Sequence, residues 1–110
     1  MHFVEITEGT RITAQEVSSW FLNQYIPNHV CNLTVEEKDL SDDGVDGWCI
    51  RESDDEYLIL IDKYLDDADY LSTLLHELFH VSQHVRGIPR DEDEAYSNES
   101  NLLDSWKKNN

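Results

Sequence analysis

The chain has 110 residues, of which 24 are acidic and only 8 are basic, so its formal net charge is −16. A surface this acidic offers no basic patch for nucleic-acid phosphates or for anionic lipid headgroups, which argues against both classes of partner. It favours basic partners or substrates, although strong acidity also serves simple solubility. The length predicts one domain with one hydrophobic core, over residues 1–110.

The sequence predicts a cytoplasmic protein. No apolar run approaches the roughly 20 residues that a membrane-spanning helix needs. The first residues lack the basic and apolar regions of an export signal. Cys31 and Cys49 are the only cysteines, too few for a disulfide framework, and in a cytoplasmic protein we expect both to stay reduced.

The first half of the chain predicts a short lead-in, a helix and three strands. Residues 1–12 favour a strand that ends near Gly9. Thr13-Ala14-Gln15-Glu16 has the form of a capping box, which opens a helix that reaches about residue 26. Alternation and apolar runs then predict strands over 30–36, 47–51 and 57–62, the last of them central in the sheet.

The second half predicts two helices. Residues 70–85 contain no Gly or Pro and place apolar side chains near helical spacing. An acidic run precedes this segment, and Arg86-Gly87 follows it, as suits the two ends of a helix. A second helix is predicted over 93–106. Together these elements predict an α+β fold in which helices pack on one sheet.

Residues 76–80 read His-Glu-Leu-Phe-His, an H-E-x-x-H pattern. Residues four apart on a helix share one face and lie about 6 Å apart along the axis, so His76 and His80 can bind one metal ion. Glu77 projects near that ion without having to bind it. Two imidazoles, a carboxylate base and an open metal position suffice for zinc-assisted hydrolysis. We therefore predict one zinc ion per chain.

A catalytic zinc site usually takes a third protein ligand. His84 continues the spacing of four, but on an unbroken helix it lies about 12 Å along the axis from His76, too far to share an ion. We interpret it as a rim or surface residue, with substrate contact as the alternative role. The acidic run offers Glu92 and Glu94, and we favour Glu94 because the small Ala95 beside it permits close approach to the motif helix.

Polar residues near this predicted ligand have candidate supporting roles. Asn98 lies one turn beyond Glu94 and is placed to hydrogen-bond the outer nitrogen of His76, which would fix its tautomer. Peptide hydrolysis also needs a donor to the oxyanion. Three residues are candidates for that role: Tyr96, His84 and Arg86.

The two motifs, residues 76–80 and Glu94-Ala95-Tyr96-Ser97-Asn98, resemble those of the gluzincin metallopeptidases. The short chain is similar to minigluzincins and to small H-E-x-x-H proteins encoded by bacteriophages. Over residues 13–106 the resemblance implies a minimal zincin-like domain: an N-terminal helix, a three- to four-stranded, mostly antiparallel sheet, an active-site helix and a C-terminal ligand helix. It also implies that Glu94 is the third ligand. Asn98 stands where the family more usually has aspartate.

The sequence favours a zinc-dependent peptidase, an endopeptidase rather than an exopeptidase. A metal-activated water would attack a peptide carbonyl while Glu77 acts as general base. The substrate would be a peptide or protein, favoured if basic, that lies along the sheet edge near Trp48. The alternative is an acidic binding or inhibitory module, catalytically weak or inactive, with a retained structural zinc site. A third interpretation has residues 1–12 covering the cleft, as in a zymogen.

Overall fold

Three helices and a four-stranded sheet make up the chain in a computed structural model that describes residues 1–110. The predicted α+β class is confirmed. The elements in chain order are β1 His2–Ile6, α1 Ile12–Tyr25, β2 Cys31–Lys38, a single 3₁₀ turn Ser41–Asp43, β3 Gly47–Arg51, β4 Glu56–Asp62, α2 Asp67–Val85 and α3 Glu92–Asn109.

The sheet has the order β1-β2-β4-β3 and mixed strand directions. β1 pairs with β2 in parallel, β2 pairs with β4 in parallel, and only β3 and β4 are antiparallel. The expectation of mostly antiparallel pairing is therefore corrected. The connections between the strands account for this. Helix α1 links β1 to β2 as a crossover, so these two strands are parallel. β3 lies at the sheet edge beside β4 and is antiparallel to it, and β4 has the same direction as β2.

The hydrophobic core lies between one face of the sheet and the helices. On α1, Val17 and Phe21 are buried, Trp20 is half-buried and Tyr25 is exposed. The main cluster takes alternate residues from the two inner strands, β2 and β4, and residues from successive turns of α2, among them Leu33, Val35, Ile59, Ile61, Leu74, Leu75 and Leu78. The H-E-x-x-H motif thus lies on a helix whose opposite side packs in the core.

The start of α1 differs from the predicted capping box. α1 begins at Ile12, and its N-cap residue, Arg11, makes no side-chain cap bond. Tertiary contacts fix this end instead, because the Arg11 N–H donates to Glu37 Oε2 at 2.6 Å and its guanidinium donates to the Leu65 carbonyl at 2.7 Å. By contrast, α2 has a side-chain cap, in which Asp66 accepts from the Asp69 N–H.

Both cysteines are free, as expected. Burial raises the pKa of Cys31 to about 11 and that of Cys49 to about 12. No helix combines the length and the apolar character needed to cross a membrane. β1 lies at the sheet edge opposite β3, which places this strand far from the edge beside the motif helix and speaks against a cover formed by residues 1–12.

Candidate metal centre

Helix α2 places His76 and His80 side by side on one face. Their rings are nearly perpendicular, with centroids 4.8 Å apart, and the residues are only 6% and 4% exposed. Their buried position follows from the sequence, because the leucines on the opposite side of the helix are held in the core. Both imidazoles are therefore held in place, with their Nε2 atoms turned toward the start of α3.

Glu92, the first residue of α3, supplies a carboxylate to both histidines. Its Oε2 lies 3.2 Å from His76 Nε2 and its Oε1 lies 2.6 Å from His80 Nε2. Three ligand atoms, one from each residue, lie within 4.8 Å of one another. Two imidazole nitrogens and one carboxylate oxygen form a donor set of the kind that zinc takes in catalytic sites.

Glu94, the ligand favoured from the sequence, points elsewhere. Its Oε1 accepts hydrogen bonds from Gln83 Nε2 at 3.1 Å and from Arg86 Nη2 at 3.2 Å. Residues two apart on a helix point about 200° apart around its axis, so Glu92 and Glu94 cannot face the same histidines. The structure thus brings Glu92 to the imidazoles and directs Glu94 away from them.

Gln83 fixes the orientation of His80. His80 Nδ1 lies 2.7 Å from Gln83 Oε1, and the Gln83 amide also donates to the Asp91 carbonyl at 3.0 Å. Because an amide oxygen only accepts, His80 carries its proton on Nδ1 and leaves the Nε2 lone pair free for a metal. Sequence reasoning missed this residue, although its position three after His80 on the same helix was a usable signal.

Glu99, and not Asn98, lies against the outer nitrogen of His76. Glu99 Oε1 is 2.9 Å from His76 Nδ1, while the Asn98 amide donates to the Glu94 carbonyl within its own helix at 2.8 Å. The expected role of Asn98 is therefore corrected. One residue along α3 changes the direction by about 100°, which turns Glu99 toward α2.

Several buried polar atoms at this site have no hydrogen-bond partner. They are His76 Nδ1, His80 Nε2 and Glu77 Oε1. The close carboxylate oxygens of Glu99 and Glu92 do not approach the two imidazole nitrogens at the angles of hydrogen bonds. Buried polar atoms are rarely left unpaired, and a cation between His80 Nε2 and Glu92 would satisfy that pair. The residues therefore fit a metal ion.

Glu77 is a buried carboxyl beside this cluster. It is 5% exposed, and burial raises its pKa to about 7, while the charges of His76 and Arg90 oppose the rise. Burial likewise lowers the pKa of His80. Desolvation works against ionisation of Glu92, but its hydrogen bond to His76 and the charges of the two histidines lower its pKa overall. Binding of a cation would lower the pKa of Glu77 again.

A cleft of about 420 Å³ opens beside the cluster, between the start of β3 and the start of α3. Tyr96 lines it, 63% exposed, with its ring 4.5 Å from that of His76. His84 instead lines a smaller neighbouring cavity, with its ring 5.8 Å from that of Tyr57. Arg86 pairs with Glu94 and stacks on Phe79, outside the cleft.

Arg90, in the loop between α2 and α3, is a cleft residue that sequence reasoning missed. Its Nη1 donates to the Cys49 carbonyl at 3.2 Å, and its Nη2 lies 3.7 Å from Glu77 Oε1. Its Nε approaches Glu92 Oε1 at 3.4 Å. No motif marks such a loop residue, because only the fold brings it to β3.

β3 and α2 touch beside the site at Gly47. A Cβ built there would lie 2.8 Å from Thr73 Cγ2 and 3.3 Å from Glu77 Cγ. Only glycine therefore allows the strand to approach the helix this closely.

Comparisons of the chain with protein-family models, with curated proteins and with solved protein structures found no match.

Proposed function

We propose that the protein is a zinc-dependent peptidase in which His76, His80 and Glu92 hold the metal and Glu77 is the general base. The observation that carries the proposal is the convergence of two buried imidazoles and one carboxylate, with ligand atoms within 4.8 Å of one another. We also propose that the site is of the gluzincin type, with Glu92, the first residue of α3, as the third metal ligand.

The metal, when bound, would supply a Lewis acid and make a water molecule more acidic. Glu77 would accept the proton of that water and pass it to the leaving amine. Gln83 would hold the His80 imidazole in the orientation that binds metal, and the Glu99 carboxylate lies against the outer nitrogen of His76.

The free edge of β3 supports binding of an extended peptide. Asp62 N–H donates to the Asp46 carbonyl and Glu52 N–H to the Glu56 carbonyl, both at 2.8 Å. Because paired and unpaired positions alternate along an antiparallel strand, the backbone groups of Cys49 point away from β4. Its carbonyl already accepts from Arg90 Nη1, so the Cys49 N–H is the group left for a substrate. A substrate strand would pair there, next to the metal cluster.

The oxyanion formed during hydrolysis needs a donor in the cleft. Tyr96 and Arg90 both line the cleft, whereas Arg86 is turned away from it and His84 lies in the neighbouring cavity. Tyr96 therefore stays a candidate from the sequence analysis, and Arg90 joins it. Both line the same cleft as His76 and Glu77.

Glu77→Gln tests the proposal. We expect the wild-type protein and this variant to bind one zinc ion each, measured by calorimetry and metal analysis, while only the wild-type protein cleaves a peptide library. Loss of a general base lowers the rate by about 10²- to 10⁴-fold. Equal cleavage by both proteins would refute the role of Glu77. Zinc binding without cleavage by wild type would instead favour the acidic binding module.

A further inference from the structure

The two cavities beside the metal cluster differ in charge. The larger one, which we call the acidic compartment, has Asp46, Glu77, Glu92 and Glu99 in its wall, together with Trp48 and Tyr96. The smaller one, of about 100 Å³, we call the cationic compartment. Its wall includes Arg51, whose guanidinium pairs with the exposed Asp54, together with His84 and Tyr57. The Arg90 side chain lines both cavities and separates them.

The metal cluster lies at the boundary between the compartments. His76 and Glu92 are in the wall of the acidic compartment, and His80 is in the wall of the cationic one. A peptide bond held over the cluster would therefore have its two flanking side chains on opposite sides of Arg90. The acidic side also contains Glu77 Oε1, which is buried and has no hydrogen-bond partner.

The direction of the peptide follows from β3. This strand runs from Gly47, beside the acidic compartment, to Arg51, beside the cationic one. Antiparallel pairing is the more stable arrangement per residue, so a bound peptide would run from the Arg51 end toward the Gly47 end. Its N-terminal half would lie at the cationic compartment and its C-terminal half at the acidic one.

We propose that this cleft recognises the order of charges around the bond it acts on: an acidic or small side chain on the N-terminal side and a lysine or arginine on the C-terminal side. The small volume on the cationic side limits that residue to a short side chain. The aromatic rings of Trp48 and Tyr96 on the other side would pack along the aliphatic part of a lysine or arginine. This inference rests on the proposed peptidase function and deepens it.

Charge order, and not total charge, is the quantity to test, because a protein of net charge −16 attracts any cationic peptide. Two end-blocked octapeptides of one composition serve this purpose, one with Asp-Lys at the centre and one with Lys-Asp. Binding to zinc-loaded Glu77→Gln protein is measured by calorimetry, so that cleavage does not interfere. Asp46 and Glu99 remain in the wall of the acidic compartment in this variant. We expect the Asp-Lys peptide to bind roughly five-fold more tightly, as suits partly exposed ion pairs.

Variants locate the source of this preference. Asp46→Asn, on the acidic side, and Arg90→Gln, at the divider, should each reduce the preference toward one. Arg86→Gln is the matched control, because Arg86 and Arg90 are both 48% exposed in their side chains and both pair with a glutamate. It should leave the preference unchanged.

The outcomes separate this inference from the peptidase proposal. Equal binding of the two peptides, a preference for Lys-Asp, or no binding of either would overturn the charge-order inference. If wild type cleaves both peptides at the same rate, the peptidase proposal stands and the charge-order inference fails. If Glu77→Gln protein prefers Asp-Lys but wild type cleaves nothing, the recognition stands and the peptidase proposal fails.

Discussion

At the scale of single residues, the choice between Glu92 and Glu94 decides the site. Asp91 caps α3 by accepting from the Glu94 N–H at 3.1 Å, so the helix begins at Glu92. That start places Glu92 opposite the two histidines and directs Glu94 toward Gln83 and Arg86, from which it accepts hydrogen bonds. The two glutamates have the same chemistry and differ only in direction.

Substitution of each glutamate by glutamine distinguishes them. Glu92→Gln should lower zinc affinity at least 10- to 100-fold, the range seen even for residues that only support a ligand. Glu94→Gln should leave the affinity within a few-fold of wild type and serves as the control. Competition of both variants with a chromophoric chelator gives the comparison. A larger loss in Glu94→Gln would restore the ligand set expected from the sequence.

Part of the candidate site could be predicted from the sequence and part could not. The spacing of His76 and His80 and the position of Glu77 follow from helical periodicity alone, and the structure brings them together. The third carboxylate depends on where α3 begins, and a shift of two residues in that boundary reverses the face. An acidic run in which any of four residues could cap or bind gives no such precision.

At the scale of elements, local patterns located the strands and helices well. The bounds of β3 were predicted to the residue, because a polar loop and an acidic turn enclose it. The directions of the strands were not predictable in this way, since they depend on which strands become neighbours. The capping box at Thr13 failed for a similar reason: Glu37, distant in sequence, fixes the start of α1.

The contact between β3 and α2 makes a prediction at this scale. Gly47→Ala should reduce the free energy of unfolding by about 1–3 kcal/mol, the usual cost of overpacking, because the new methyl group meets Thr73 Cγ2. Thr73→Ser removes that methyl group and should relieve part of the loss in the double variant. Chemical denaturation of the four proteins measures the coupling, and strictly additive effects would contradict the proposed clash.

At the scale of the whole molecule, charge is the dominant property. A net charge of −16 on 110 residues repels itself in the folded state. Salt screens this repulsion over a Debye length that falls from about 30 Å at 0.01 M to about 3 Å at 1 M. The chain should therefore be more stable in salt than without it.

Thermal unfolding at two salt concentrations tests this expectation. For the metal-free protein at pH 7, a change from 10 mM to 500 mM NaCl should raise Tm by roughly 5 °C, which corresponds to about 1 kcal/mol for a domain of this size. The same change near pH 4.3, close to the sequence pI, is the control and should have little effect. An equal rise at both pH values would show that repulsion is not the cause.

The proposed metal ligands lie on two different helices, and this has a consequence for the stability of the fold. α3 has only two buried residues, Ala95 and Leu102, whereas α2 has ten. An ion shared by His80 and Glu92 would therefore act as a clasp on the most weakly held helix. Amide hydrogen exchange along α3 should slow when zinc is added, and the zinc concentration would then determine how often this helix opens locally.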